Sequence, residues 1–288
     1  MDQPEDNEYW DIEIKPTNNL LDLKLKDTWH YRDLLMLMVR RDFVSFYKQT
    51  ILGPIWFFVQ PIITIVFYTL VFGNLAGIST DGVHKPLFYL AGTILWSYFS
   101  DCLTKTSTVF RDGAGLMGKV YFPRLIMPLS IVASNLIRFG VQIMLFIGFM
   151  IFYGITDGHM PINLYALLFP LLILLIAAQG LGLGMIISAV TTKYRDLAFI
   201  ISFAVPLLMY ATTVIYPLST AQQKFPKYSW IIKFNPVTPV IETFRYGFLG
   251  KGSFSWGLLG YCSFITAILL FAGIIIFNKV EKTFVDTV

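Results

Sequence analysis

The 288-residue chain is 56% hydrophobic and only 14% charged, with a mean hydropathy of +0.64, which excludes an ordinary soluble domain. Long apolar stretches and their links use up nearly all of it, leaving no room for a separate nucleotide-binding domain of ordinary size. The net charge of +4 calls for no nucleic-acid partner, and the two cysteines, Cys102 and Cys262, lie in or beside apolar runs as small buried hydrophobes rather than a disulfide framework.

The acidic start MDQPEDNEYWDIEI has no basic segment leading into an apolar core, so it does not read as a cleavable signal peptide. Residues 29–50, WHYRDLLMLMVRRDFVSFYKQT, follow as an imperfectly amphipathic helix. Arg41, Ser45 and Lys48 share a face while Arg32, Arg40 and Asp42 point elsewhere. An interfacial helix is expected there, serving either as a basic anchor at the lipid head groups or as a grip on a partner or substrate phosphate.

Six apolar stretches come next, at 51–73, 86–104, 129–154, 162–190, 197–216 and 255–278. Each is near or above the roughly 20 residues that a spanning helix needs. The expectation is an all-α membrane protein with six transmembrane helices. It divides into a cytoplasmic segment 1–50, a membrane domain 51–278 and a cytoplasmic tail 279–288. Pro54, Pro61, Pro170 and Pro206 fall within the spans and imply kinks rather than breaks.

With the N-terminus inside, the inner side carries fifteen Lys and Arg and the outer side six, with Arg138 inside span 3; the positive-inside rule then places both termini in the cytoplasm. The links at 74–85, 155–161 and 191–196 read as turns. The inner segment 105–128, KTSTVFRDGAGLMGKVYFPRLIMP, is basic and punctuated by Gly and Pro, and predicts a short exposed helix that a partner could grip. The outer segment 217–254 has four prolines and no apolar run long enough to span, so short helices re-entering the outer leaflet are expected there.

Catalytic and metal motifs are missing: there is no HExxH, GxSxG, CxxC, DxxD or GxxxxGK[ST], and His30, His84 and His159 are scattered. Charges within the spans are few, which disfavours a secondary transporter. Asp101 lies near the inner end of span 2. Arg138 could snorkel, pair with Gln142 one turn on, or face a wet channel. Glu242 and Arg245, three apart, fit a local brace or a substrate site. Gly180 and Gly184 in span 4 have GxxxG spacing, read first as packing within the subunit. Aromatics gather in spans 1 and 2, among them Trp56, Phe57, Tyr68 and Trp96. Interfacial belts account for many of them, and a stacking surface for sugar rings is the alternative.

The segments RRDFVSFYKQTILGPIWFFVQPI, KVYFPRLIMPLS, TTKYRDLAFIISF, FNPVTPVIETFRYGFLG and VEKTFVDTV, in this order across six spans, resemble the ABC-2 type permeases that export lipid-linked polysaccharides. The likeness covers most of the chain and points to the transmembrane subunit of O-antigen exporters, with capsule and teichoic-acid permeases as near relatives. Residues 1–28 are longer and more acidic than a minimal permease requires.

The resemblance implies a homodimer in a bacterial inner membrane, with a pathway between subunits lined by spans 1 and 5. Two copies of a separate ATPase subunit would carry ATP and Mg, and this chain itself would bind no cofactor and no metal. In that frame Arg111, Lys119 and Arg124 would serve ATPase coupling. Leu52 and Gly53 would sit at the cytoplasmic gate, and Arg40, Arg41 and Lys48 would attract the carrier diphosphate. Trp56, Phe57, Tyr68, Trp96 and Arg138 would line the substrate path. Two further classes stay open at this stage: an ABC-2 permease for drugs or small lipids, and a membrane glycosyl or acyl transferase. The latter lacks catalytic acids or histidines grouped on one membrane face.

Overall fold

The computed structural model describes residues 25–48, 50–51, 53–120, 122–194 and 196–284. Expectations attached to most of the segment 1–28, to Leu52 and to the last four residues of the tail lie outside them. Among the described residues all regular structure is helical. The expected interfacial helix is two pieces, α1 (Leu25–His30) and α2 (Arg32–Tyr47), separated at Tyr31. A 3₁₀ turn at Gly53–Ile55 leads into α3 (Trp56–Tyr68), which ends in a π-helical turn at Thr69–Leu75. Next come α4 (Lys85–Ser107), the short α5 (Val109–Met117), α6 (Ile126–Asp157) and α7 (Phe169–Lys193). The chain closes with α8 (Leu197–Met209), α9 (Leu218–Lys224), α10 (Ser229–Lys233), α11 (Val237–Leu249) and α12 (Trp256–Phe284).

Four helical stretches, Gly53–Leu75, Ile126–Asp157, Leu164–Lys193 and Trp256–Val280, are long and apolar enough to cross a membrane. α4 matches them in length at 23 residues but is more polar, and its neighbours cover it. Phe88, Tyr89, Leu90, Ala91, Ile94, Leu95, Phe99 and Cys102 are all buried, so α4 forms the axis of the bundle. Both cysteines are buried and free.

The expected prolines act differently from one another. Pro61 and Pro206 lie inside α3 and α8, whereas Pro170 sits in the first turn of α7, where its missing N–H has no helical partner to lose. The stretch 197–216 is helical only to Met209. Its 13 residues reach about 20 Å, short of the roughly 30 Å of bilayer hydrocarbon. The chain turns instead of continuing because Arg245 takes over the carbonyls of the turn. Its guanidinium donates to Thr213 O and Val214 O, and also to Phe88 O of α4 at 3.2 Å, while lying 3.6 Å over the Phe88 ring. Glu242 stands 3.6 Å from Arg245 and accepts from Ser253 N and Oγ, tying down the link between α11 and α12. The pair is a brace of wider reach than its three-residue spacing predicts: it joins α4, α11, the turn after α8 and the start of the last link.

The Gly180/Gly184 spacing works within the subunit. A Cβ on Gly180 would lie 2.8 Å from the Cβ of Cys102 and 3.0 Å from Phe99 O; one on Gly184 would lie 2.6 Å from the Cβ of Thr106. On the opposite face of α7, Gly182 and Gly273 bring the α7 and α12 backbones together, since a Cβ on Gly273 would meet Gly182 O at 2.6 Å. A second apolar cluster seals one end of the bundle, where Met38 of α2, Val109 and Phe110 of α5, Ile126, Met185 and Phe277 pack together. Gly184→Val is expected to force α4 and α7 apart and to destabilise the protein by about 1–3 kcal/mol. Thermal unfolding in detergent should show the loss, and Gly140→Val, where a Cβ would meet nothing within 4 Å, should not.

Candidate functional site

Polar side chains of three of the helices converge on one place. A cavity of about 280 Å³ opens between α3, α4, α6 and α8. Its polar lining comes from Gln60, Thr64 and Tyr68 of α3, Thr93, Ser97, Ser100 and Asp101 of α4, and Arg138 and Gln142 of α6; Trp96, Pro206 and Met209 supply apolar wall. A second cavity of about 400 Å³ lies beside it toward α2, lined by Asp42, Phe43, Ser45, Phe57, Lys105, Ile131, Ser134, Asn135 and Arg138. Arg138 lines both.

Local sequence explains this convergence. Ser97, Ser100 and Asp101 fall on one face of α4 at spacings of three and four, opposite the face that Gly180 covers at Cys102. Gln60 lies one turn ahead of Thr64, whose hydroxyl donates to Gln60 O at 3.0 Å, so both face the same side of α3. Arg138 and Gln142 are likewise one turn apart on α6. Each helix therefore turns a polar stripe inward at the same level.

Arg138 is the hinge of the electrostatics. Nη1 donates to Asp101 Oδ2 at 2.9 Å and Nη2 to Gln60 Oε1 at 2.7 Å, and the side chains of Arg138 and Asp101 are 19% and 29% exposed. Of the roles open to Arg138, the geometry gives it a counter-ion on α4 and a place on the wall of an open cavity; Gln142 lines the same cavity as a neighbour. Charge compensation is what makes the position tolerable, since an isolated guanidinium at membrane depth is expensive. The pair also ties the lightly covered α3 to the bundle.

The residues singled out from the sequence are only partly assembled. Tyr68, Trp96 and Arg138 meet at the first cavity, and Phe57 joins Arg138 at the second, stacked on Phe43 with centroids 5.8 Å apart. The Tyr68 hydroxyl reaches Met209 Sδ at 3.6 Å, linking α3 to α8. Arg40 is exposed on α2, Lys48 is exposed just past its end, and Arg41 bonds Asp42 at 2.9 Å; none of the three lines either cavity. Trp56 is 42% exposed at the start of α3, and Gly53 opens that segment with φ +53°. Arg111 is exposed on α5 and bonds Asp112 at 2.9 Å; Lys119 is exposed just after α5, and Arg124 is half-buried before α6.

Gln60, Ser97, Ser100, Lys105 and Asn135 were not foreseen as site residues. The signal available for Asp101 was that it and Arg138 are opposite charges in otherwise apolar spans, which favours pairing them. Among the described residues no group of three or more His, Cys, Asp or Glu could hold a metal.

Asp101→Asn should leave the Arg138 charge without its counter-ion and lower the melting temperature more than Arg138→Gln does. The double variant should recover stability relative to Asp101→Asn, with a coupling of about 0.5–3 kcal/mol in a double-mutant cycle.

Comparison with known proteins places this architecture. Residues 33–249 match the family described as ABC-2 type transporter. The chain is 27% identical over 264 residues to the O-antigen export system permease protein RfbA of Myxococcus xanthus, covering 92% of this chain and 98% of that protein. It is 27% identical over 267 residues to RfbA of Klebsiella pneumoniae, covering 92% and 99%. It is also 26% identical over 196 residues to the inner membrane transport permease YadH of Escherichia coli K12, covering 67% and 75%. With its apolar helices and a family match across most of its length, this chain is a multi-pass membrane protein that belongs to the ABC-2 type transporter family.

Proposed function

We propose that the chain is the membrane-spanning permease of an ATP-driven exporter that moves lipid-linked polysaccharide of the O-antigen type across the bacterial cytoplasmic membrane. The observation that carries this reading is the near end-to-end similarity to two O-antigen export permeases, which covers 92% of this chain in both cases. A polar glycan cannot cross roughly 30 Å of hydrocarbon unaided. The exporter therefore needs a path with polar or aromatic walls, and the cavity bounded by Trp96, Tyr68, Gln60 and Arg138 offers such groups at membrane depth.

In this reading the chain crosses the membrane six times, with α4 and the short α8 completing the four longer spans and with both termini in the cytoplasm. Helices α9 to α11 re-enter the outer leaflet, and Arg245 of α11 holds the turn that precedes α9. Two copies assemble so that α3 and α8 face each other across the pathway. Supporting this are the exposed apolar side chains of α3 (Ile63, Val66 and Phe67) and of α8 (Phe199, Phe203 and Leu207), two of the four helices that bound the cavity. Trp56, Phe57, Tyr68 and Trp96 belong to the substrate path, with Leu52 and Gly53 at its inner gate. Arg40, Arg41 and Lys48 stand on the approach at the membrane surface.

ATP and Mg are bound by a separate ATPase subunit, two copies per exporter, and this chain carries no catalytic group for hydrolysis. Helices α2 and α5 form its docking surface. They share one apolar cluster with the ends of α6, α7 and α12, so force on α5 is transmitted to the spans. Charge reversal at Arg111, or at Lys119 or Arg124 beside it, should weaken ATPase co-purification or uncouple hydrolysis from export. Wild-type yield with unchanged substrate-stimulated hydrolysis would remove α5 from the interface.

The function itself is tested by deletion. Cells lacking the chain should accumulate lipid-linked polymer on the inner leaflet and lose it from the surface, and an ATPase-dead partner should reproduce that defect. Purified alone, the chain should hydrolyse no ATP. Normal surface polymer in a deletion strain without a redundant exporter would reject the proposal.

A further inference from the structure

The surface formed by the turn from α9 to α10, residues 224–234, mixes aromatic rings with cations: its sequence is KFPKYSWIIKF. Phe225, Tyr228, Trp230, Ile231 and Phe234 are each 45–64% exposed, whereas Leu218 and Ala221 on the other face of α9 are buried. Lys224 and Lys227 are exposed, and the half-buried Lys233 holds its Nζ 5.8 Å from the centre of the Phe234 ring. The exposed apolar faces of the long helices are different. α3, α8 and, as far as Asn278, α12 carry no charged residue, which suits hydrocarbon tails.

The positive charge survives a full count. No Asp or Glu occurs between Leu197 and Ile241, and among the described residues no carboxylate stands within ion-pair distance of Lys224, Lys227 or Lys233. Of the carboxylates at this end of the molecule, Glu242 stands against Arg245 and Asp157 bonds His84 at 2.6 Å. Asp81 accepts from Ser219 Oγ at 2.9 and 3.0 Å near the start of α9, and shares a small cavity with Arg245 and Lys251. Set wholly against the three lysines, Asp81 still leaves two positive charges in excess.

The level of this surface is fixed by α12. Tyr261 Oη donates to Phe234 O at 3.1 Å, the two rings meet edge to face at 5.4 Å, and Asn235 Nδ2 donates to Ala211 O at 3.1 Å. Tyr261 lies about 8 Å along α12 from Trp256, where that membrane-length helix begins. The head-group region on each side of the hydrocarbon is roughly 5–8 Å deep, so the end of α10 stands at the hydrocarbon boundary. Trp and Tyr favour that level, and Lys placed there lays its stem on apolar groups with its ammonium among phosphates.

We propose that residues 224–234 bind the head groups of anionic phospholipids, with Lys224, Lys227 and Lys233 on the phosphates and Phe225, Tyr228 and Trp230 seated at the hydrocarbon boundary. A neutral anchor would need the rings alone; three cations without a counter-charge select a negative surface. The contact fastens the chain after α8 to the bilayer from outside the bundle, while Arg245 fastens it to α4 from within. The export reading enters only in making this the outer leaflet.

The test uses the full-length permease in nanodiscs, labelled with nitrobenzoxadiazole at Gln223→Cys, an exposed position on α9; Cys102 and Cys262 are buried and stay unlabelled in the folded protein. Quenching by spin-labelled phosphatidylglycerol is compared with quenching by spin-labelled phosphatidylcholine at equal mole fraction. Phosphatidylglycerol should quench more strongly, and about 0.5 M salt should shrink the difference. Each of Lys224→Gln, Lys227→Gln and Lys233→Gln should lower the local enrichment of phosphatidylglycerol by up to about fivefold, and the triple variant should abolish it while phosphatidylcholine still quenches. The three Lys→Arg changes together should keep the enrichment. Equal quenching by the two lipids in the wild type would overturn the proposal, as would unchanged enrichment in the triple Lys→Gln variant, folded as judged by melting. Quenching by neither lipid would overturn it too, giving the face to a second copy or to glycan. Surface polymer separates this inference from the function. Loss of surface polymer on deletion together with equal quenching leaves the function standing and removes the lipid surface. Lipid selectivity that depends on the lysines, in a chain whose deletion leaves surface polymer intact, does the reverse.

Discussion

The close approach of α4, α7 and α12 is the constraint on which the rest of the molecule depends. Hydrophobicity cannot hold helices together in lipid, because the solvent is as apolar as the side chains. What remains is van der Waals contact, and here it is made through missing side chains. Gly180 and Gly184 admit α4 on one face of α7, and Gly182 with Gly273 admits α12 on the other. Each position would place a Cβ within 3 Å of a neighbour, so the seam tolerates no growth. The result is a rigid trio with α4 buried at its axis.

Around that trio α3 and the turn after α8 are tied by a few polar links beside their apolar packing. α3 is held to α6 by Gln60–Arg138 and to α8 by Tyr68–Met209. The turn after α8 is held to α4 and α11 by Arg245. A packed core with two lightly covered helices distributes stability unevenly, with α3 and α8 having the least packing to lose. The two arginines within the bundle divide the labour. Arg245 is enclosed, with backbone carbonyls and Glu242 around it, and serves the scaffold. Arg138 opens on two cavities, and its bonds to Asp101 and Gln60 join three different helices.

Within the sequence, the apolar stretches located the four long apolar helices to within a few residues, because length and lack of charge are local properties. The short helix in 105–128 appeared as α5, and 217–254 broke into α9, α10 and α11, since its prolines and polar residues forbid one long helix. The GxxxG spacing correctly indicated packing inside the subunit. The order of five motifs carried the family, which the match over residues 33–249 establishes.

The site was legible only in fragments. Sequence marked Arg138, Tyr68, Trp96 and Phe57 as unusual, but 37 positions separate Asp101 from Arg138 and 78 separate Gln60 from it, and nothing in a linear pattern says that those helices touch at that level. The end of α8 at Met209 was hidden for the same reason. Apolar residues continue to 216, and only the arrival of Arg245, 31 or 32 positions later in the chain, makes a buried turn affordable. Composition and the length of apolar runs thus determined the solvent and the long helices, and the order of the motifs the family. The tertiary structure decided which polar groups meet, because partnership between buried charges depends on the crossing of helices and not on their sequence.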